Sequence, residues 1–271
     1  GLRHGTVTVL TESGAVEVTT FRREGGYADG RRPDGVRFDV GLAEDLSRRD
    51  FTVNAMALST EGEVIDPSGG QADLARRQIR CVGDPDRRFA EDALRMLRAV
   101  RFAAQLDFSI EDATLAAIRR NAGRTARVSG ERVKAEVEKI LLSDRPERAG
   151  LLLELGLLEH LYPVRTAPDL SGLGAAQAAP GPRWRAFCAA TGFPITALPV
   201  SRALRRCVLH PEAEQVKQLA LSGGELERLG GPQIGRMQRR LARYLLEHPG
   251  ENERERLLQV VREWRYGRNG L

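Results

Sequence analysis

The sequence predicts an α+β chain, with strands and turns up to about residue 83 and helices from about residue 88 onward. Two patterns carry this prediction. In the first part, short runs of β-branched residues alternate around glycine-containing turns; in the second, apolar residues recur at helical spacing. The composition agrees. Hydrophobic residues make up 41% and charged residues 29% of 271, which is the balance of a folded globular protein.

The elements follow in order. Thr6-Val7-Thr8-Val9-Leu10 and the stretch 15–21 are joined by Glu12-Ser13-Gly14 and read as a hairpin. Residues 25–35, with Gly25-Gly26 and Pro33-Asp34-Gly35, read as a polar loop. Residues 56–59 and Val64-Ile65 suggest a second hairpin turning through Glu61-Gly62. Helices are expected at 89–106, 111–121, 129–142 and 146–155. Residues 167–182 are rich in Ala, Gly and Pro and read as a linker. Helices then resume at 183–190, 211–221, 233–248 and 252–264, the last with Asn252 and Glu255 spaced as a capping box.

Composition excludes several functional classes. Cys81, Cys188 and Cys207 stand far apart with no CxxC pair, which argues against a disulfide framework or a cysteine zinc site and fits a reducing cytoplasm. No apolar run is long enough to span a membrane. The four histidines are isolated, with no HExxH, and there is no GxSxG nucleophile motif. The net charge of +5 has a definite place. Residues 201–271 hold 14 Lys+Arg against 9 Asp+Glu, while the preceding 200 residues hold 28 of each. A basic C-terminal quarter fits either a phosphate-binding surface or a solvated helical face.

Three segments carry candidate chemistry. In the helix expected at 89–106, Arg95, Arg98 and Arg101 recur every third residue among small and apolar side chains. Arginines in such surroundings need anionic partners, because unpaired buried charge is expensive. Glu91 and Asp92 are candidates for some of them, bound phosphates for the rest; internal ion pairs with snorkelling are the alternative. Asp92 and Arg95, three apart on one helix face, offer an acceptor beside a donor, the two halves of a base-pairing edge. The second segment, Arg48-Arg49-Asp50-Phe51-Thr52-Val53-Asn54, offers arginines for phosphate and Asp50 and Asn54 for ribose hydroxyls, or else is a charged turn. The third, Asp66-Pro67-Ser68-Gly69-Gly70-Gln71-Ala72-Asp73, reads as a hinge or tight turn and lacks the ending of a P-loop.

In order, Gly5-Thr6-Val7-Thr8-Val9, Val16-Glu17-Val18-Thr19-Thr20-Phe21-Arg22, Arg48 to Ala55, Asp66 to Leu74, Glu91-Asp92-Ala93-Leu94-Arg95-Met96-Leu97-Arg98 and Ser129-Gly130-Glu131-Arg132 resemble the class II tRNA nucleotidyltransferase family, which includes the bacterial CCA-adding and poly(A) polymerases. Gly231-Pro232-Gln233-Ile234-Gly235 and Glu251-Asn252-Glu253 continue the likeness, so that it covers nearly the whole chain. The resemblance implies a partial polymerase-β-like nucleotidyltransferase head with a mixed β-sheet over 1–83. It implies an all-helical remainder: a nucleotide-selecting neck over 84–143, a body over 144–200 and a tRNA-binding tail over 201–271. It implies untemplated addition of C, C and A to the tRNA 3′ end from CTP and ATP, with Mg2+ as cofactor and no membrane or protein partner. By the same resemblance Asp92 and Arg95 pair with the incoming base, with Glu91 beside them among the nucleotide-binding residues. Arg98 and Arg101 support the site and contact phosphates, Arg49 holds the triphosphate, Asp50 and Asn54 lie near the ribose, and Asp66, Gly69, Gly70 and Asp73 form the head–neck hinge.

One departure matters. The family's metal-binding motif, with its Asp-x-Asp, lies before the segment matching Gly5-Thr6-Val7, and only four residues precede that segment here. The metal-binding pair is therefore expected to be missing, with Glu17 the third carboxylate of an incomplete site and this chain an N-terminally truncated form, weakly active or inactive. A non-catalytic nucleotide- or tRNA-binding remnant, a poly(A) polymerase and a CC- or A-adding relative remain as alternatives.

Overall fold

The computed structural model describes residues 5–12, 14–24, 36–38, 40–163, 168–228 and 233–266. The chain divides into two compact units, Gly1–Pro199 and Val200–Leu271. Among the described residues no helix is long and apolar enough to cross a membrane.

The first unit opens with the expected hairpin, β1 (Thr6–Thr11) antiparallel to β2 (Gly14–Thr19). Val7 faces Val18 and Val9 faces Val16, so the period-2 alternation gathers four valines on one face. Gly14 has φ +125°, a conformation that the turn asks of glycine. Ser13 and the expected polar loop at 25–35 lie outside the described residues. β3 (Arg23–Glu24) pairs antiparallel with β4 (Val36–Arg37).

A short helix that the periodicity did not predict follows, α1 (Leu42–Ser47). Its start is held by the Glu44 carboxylate, which accepts from the Gly41 backbone N–H at 3.3 Å. The second hairpin forms as expected: β5 (Ala57–Leu58) runs against β6 (Val64–Ile65), closed by Ser59 N–H to the Glu63 carbonyl at 2.8 Å.

The glycine segment then leads into α2 (Gly70–Ala75) and β7 (Gln78–Ile79). Asp66 accepts from the backbone N–H groups of Gly70 at 2.7 Å and Gln71 at 2.9 Å, so its carboxylate seats the helix start. The two glycines are required for different reasons. Gly69 has a left-handed φ of +75°, whereas a Cβ on Gly70 would lie 2.2 Å from the Thr52 carbonyl oxygen. Fully buried Asp73 accepts from the Thr52 hydroxyl at 2.6 Å and from Arg80 Nε at 2.8 Å. These bonds tie α2 to residue 52.

β7 pairs in parallel with β8 (Ser109–Ile110), across the two helices that lie between them in sequence. These helices were expected as one, from 89 to 106. The chain instead forms α3 (Pro85–Glu91) and α4 (Leu94–Leu106), with Asp92 extended at φ −146°, ψ 107°. The break has a local cause: the Asp92 carboxylate accepts from Leu94 N–H at 3.0 Å, a turn bond that competes with the helical ladder. Asp92 and Arg95 therefore do not share one helix face.

α5 (Asp112–Asn121) begins where Glu111 accepts from Thr114 N–H at 3.0 Å. α6 (Gly130–Leu141) packs on α4. Met96, Leu97 and Val100 of α4 and Val133, Val137 and Ile140 of α6 are fully buried. A 3-10 turn over Pro146–Ala149 leads into α7 (Gly150–Glu154). The stretch expected as a linker is packed instead: it holds a 3-10 turn, Ser171–Ala175, with Leu170 and Leu173 buried and the Leu173 carbonyl accepting from Arg183 at 2.8 Å. Two leucines and a buried arginine outweigh the Ala/Gly/Pro composition. α8 (Pro180–Thr191) buries Trp184 and Phe187, whose rings meet edge-on at 6.0 Å.

The second unit contains α9 (Arg202–Leu209), α10 (Pro211–Gln215), α11 (Gly223–Arg228), α12 (Ile234–Glu247) and α13 (Arg254–Tyr266). Its core is Leu221, Leu226, Leu241, Leu245, Leu257, Val260 and Val261. α9 and α11 were not anticipated; both are short, and isolated helices of that length depend on packing rather than propensity. Asn252 does not cap α13 as expected. Its amide accepts from Ala220 N–H at 3.0 Å and donates to the Gln218 carbonyl at 2.7 Å, a tertiary clamp stronger than the local cap.

Two substitutions test the junction around residue 52. Gly70→Ala is expected to lower stability by about 1–3 kcal/mol through backbone overpacking. Asp73→Ala is expected to cost about 3 kcal/mol by leaving Arg80 and Thr52 without their acceptor. Urea unfolding measures both, and midpoints equal to that of the parent would contradict the described junction.

Candidate functional site

The site grows from α4. A helix of Ala, Leu, Met and Val carries three arginines, and Arg95 and Arg101 are at least nine-tenths buried. Each finds a different anion. Arg95 Nη1 lies 2.6 Å from Glu91 Oε2, and the same guanidinium donates to the carbonyls of Arg88 at 3.1 Å and Arg48 at 3.2 Å. Arg98 Nε lies 2.6 Å from Asp50 Oδ2. Arg101 Nε lies 2.6 Å from Glu136 Oε2 on α6, and Arg101 Nη1 donates to Gln105 at 3.0 Å. The Phe102 ring lies under both Arg98, at 5.2 Å, and Arg101, at 3.9 Å. Burial pushes the Arg101 guanidinium below its usual range, against the pull of the Glu136 carboxylate.

The acidic pair before α4 is divided in its duties. Glu91, at the end of α3, accepts from both Arg88, at 2.9 Å, and Arg95. Asp92, in the break, is gripped by Arg132 of α6: Nη2 to Oδ2 at 2.7 Å and Nη1 to Oδ1 at 3.4 Å.

The opposite wall is the segment after α1. Asp50 is buried, accepts from Phe51 N–H at 2.9 Å with one oxygen and holds Arg98 with the other. Arg49 reaches Asp45 Oδ2 at 3.2 Å and the Asn54 carbonyl at 2.9 Å, with 42% of its side chain exposed and so open to a ligand. Arg48 joins the same Asp45 carboxylate at 2.5 Å. Burial alone would raise the Asp45 carboxyl, but the Arg48 and Arg49 guanidiniums and the Arg22 backbone N–H hold it below the usual range.

Residues 48–54 and 88–98, far apart in sequence, thus form one constellation, joined by Arg98 to Asp50 and by Arg95 to the Arg48 carbonyl. Of the predicted residues, Arg49, Asp50, Asn54, Glu91, Asp92, Arg95 and Arg98 meet in it. Arg101 turns away to α6. Asp66, Gly69, Gly70 and Asp73 lie behind it, reaching it through Thr52. Glu17 lies exposed on β2, opposite Thr8 in register. Among the described residues no group of three or more His, Cys, Asp or Glu side chains could hold a metal ion. A pair of magnesium ions therefore does not fit the described donors. A cavity of about 610 Å3 lined by Arg119, Thr125, Glu154, Glu159 and His160 includes none of the constellation.

Sequence reasoning assigned no role to Asp45, Arg88, Arg132 and Glu136. Three of them carried a signal: Asp45 lies three and four residues before Arg48 and Arg49, Arg88 lies three before Glu91, and Glu136 sits on the apolar face of α6 between Val133 and Val137, whereas Arg132 carried none. The chemistry the site offers is that of donors and acceptors rather than of a nucleophile. Cys81, the nearby thiol, is pushed up to about 12 by burial and is inert.

Residues 1–80 match the family model described as the poly A polymerase head domain, and residues 107–167 match the probable RNA and SrmB-binding site of polymerase A. The chain is similar to the CCA-adding enzyme of Limosilactobacillus reuteri, 51% identical over 162 residues, or 59% of this chain and 40% of that protein. It is 47% identical to the CCA-adding enzyme of Geobacillus thermodenitrificans over 198 residues, 71% of this chain and 49% of that protein. The chain thus spans less than half the length of these relatives. The crystal structure of the Bacillus stearothermophilus CCA-adding enzyme in complex with CTP superimposes with a TM-score of 0.61 at 30% identity, covering 97% of this chain and 83% of that one.

The Asp45 cluster makes a pH prediction. A carboxyl held low in the folded state contributes stability that is present above its unfolded value, near ~4, and is lost as pH falls through the folded value. Asp45→Asn is expected to destabilise the protein in urea at neutral pH, and the gap from the parent is expected to shrink by pH 3. A gap that stays constant would contradict the role given to Asp45.

Proposed function

Since the chain belongs to the family of CCA-adding enzymes and poly(A) polymerases, we propose that it serves in the untemplated addition of C, C and A to the 3′ end of tRNA, drawing on CTP and ATP. The observation that carries this is the constellation itself: an acceptor, Asp92, and a donor, Arg95, fixed beside arginines and an aspartate from residues 48–54.

In this reading Asp92 accepts from the exocyclic amine that cytosine and adenine share, and Arg95 donates to the neighbouring ring nitrogen. Glu91 and the carbonyls of Arg88 and Arg48 hold the Arg95 guanidinium in one plane, so the edge is preorganised. Arg98 is tied by Nε to Asp50, and its two terminal nitrogens, which bond no described residue, donate to phosphate oxygens. Arg49 serves the triphosphate, while Asp50 and Asn54 lie by the ribose. Glu136 of α6 supports the site through Arg101 of α4. The tRNA 3′-hydroxyl attacks the α-phosphate, the bond to the β-phosphate oxygen breaks, and pyrophosphate leaves. Magnesium belongs to this chemistry in the family, but the described carboxylates do not fit it.

The tRNA backbone would lie on the second unit. On α12, Arg236, Arg239 and Arg243 recur at i, i+3 and i+7, are exposed, and form no ion pair among the described residues. Exposed guanidiniums in one row suit a phosphate track. A second reading is a chain that binds nucleotide and tRNA without catalysis.

A primer-extension assay separates the readings. The protein is incubated with magnesium, CTP, ATP and tRNA that ends before CCA, and the products are resolved on a denaturing gel. Growth by C, C and A in that order supports the proposal. A run of A alone points to poly(A) polymerase, and binding without growth to the non-catalytic reading. In parallel, replacing Arg236, Arg239 and Arg243 by Gln is expected to weaken tRNA binding and to reduce the slope of log K against log salt by about 2–3. An unchanged slope removes α12 from the RNA surface.

A further inference from the structure

Arg132 stands in the first turn of α6, forty residues beyond Asp92. Its guanidinium meets the Asp92 carboxylate fork to fork, at 2.7 and 3.4 Å, while Leu94 N–H takes the inner oxygen at 3.0 Å. The donors come from two directions and fix both the position and the plane of the carboxylate. Neither side chain is sealed away: Asp92 keeps 18% and Arg132 27% of its side-chain surface exposed, so one edge of the carboxylate still faces outward. α6 is itself packed against α4. Val133, Val137 and Ile140 are fully buried, and one turn on from Arg132 the Glu136 carboxylate holds Arg101 at 2.6 Å and Lys139 at 3.2 Å. The helix therefore grips the α4 segment at two points, one before its start and one in its middle.

We propose that Arg132 is a specificity-determining positioning residue, which acts through Asp92 and, on the reading that Asp92 meets the base, sets which bases are admitted. A carboxylate in a two-pronged ion pair can only accept hydrogen bonds. Held in one plane, it welcomes the amino group of cytosine or adenine and opposes the carbonyl that uracil and guanine present at that place. Without the fork, the Asp92 side chain turns about its own bonds and the rejection is lost, while the phosphate contacts, made by other arginines, stay.

Equilibrium binding of CTP, UTP and inorganic tripolyphosphate to the whole chain, to R132Q, to D92N and to the double variant tests this. The parent is expected to prefer CTP over UTP by about tenfold or more. R132Q should bring that preference close to unity and leave tripolyphosphate binding unchanged, and the double variant should be no worse than D92N, as two residues acting through one contact are non-additive. An R132Q protein that keeps the CTP preference overturns the inference. So does one that loses tripolyphosphate in the same proportion as CTP, which is the mark of a merely structural role, or a double variant whose losses add. A parent that binds CTP and UTP alike refutes the base-reading role of Asp92 itself, and the inference with it.

Discussion

An arginine set among alanines and leucines cannot be left without an anion, and α4 carries three of them in a row. Most of the first unit is arranged to meet that demand. Arg95 is answered by Glu91 from the end of α3, Arg98 by Asp50 from the segment after α1, and Arg101 by Glu136 from α6. Two of these partners, from the segment after α1 and from α6, come from distant parts of the chain and converge with α3 on one helix. Each ion pair is a poor source of net stability, since desolvation offsets much of the attraction. Their return is geometric: the pairs admit one register between the 48–54 segment, α4 and α6, and the apolar core of Met96, Leu97, Val100, Val133 and Ile140 holds it.

The same demand explains how the site is built. A group that reads a base by hydrogen bonds must be oriented before the base arrives, because an edge that has to search for its plane discriminates poorly. Here Asp92 is oriented by Arg132 and Leu94 N–H, and Arg95 by Glu91 and two carbonyls. The helix break at Asp92 is part of this arrangement. In an unbroken helix the carboxylate would lie on the same face as Arg95 and pair with it, leaving neither group for a ligand. Extended backbone at Asp92 separates the two and gives each its own partner.

Much of the fold was legible in the sequence, and its errors have physical causes. The hairpins of residues 6–19 and 57–65 were plain because alternation and glycine turns are local signals. The helices from α5 through α8 were plain because their apolar faces have the right period. The break at Asp92 was hidden, because Ala93, Leu94 and Met96 continue the helical pattern on either side and only a side-chain oxygen bound to Leu94 N–H interrupts it. α1 and α9 were missed for being short, and the stretch at 168–179 was taken for a linker because Leu170 and Leu173 are only two apolar residues among Ala and Gly. The residues of the site were largely named in advance, as arginines and acids in unusual surroundings. Their pairing was not: Arg98 with Asp50, Arg132 with Asp92 and Arg101 with Glu136 span roughly 35–48 residues, and no periodicity reports contacts at that range.

On the proposed reading, a carboxylate and a guanidinium, preset by their protein partners, distinguish nucleobases with an amino group from those with a carbonyl. Its most direct test is the binding of all four ribonucleoside triphosphates by calorimetry to the parent and to Asp92→Ala. CTP and ATP are expected to bind within about tenfold of each other, UTP and GTP more weakly by about tenfold or more, and Asp92→Ala to level the four. Equal binding of all four by the parent, or a selectivity that survives the loss of the Asp92 carboxylate, would contradict it.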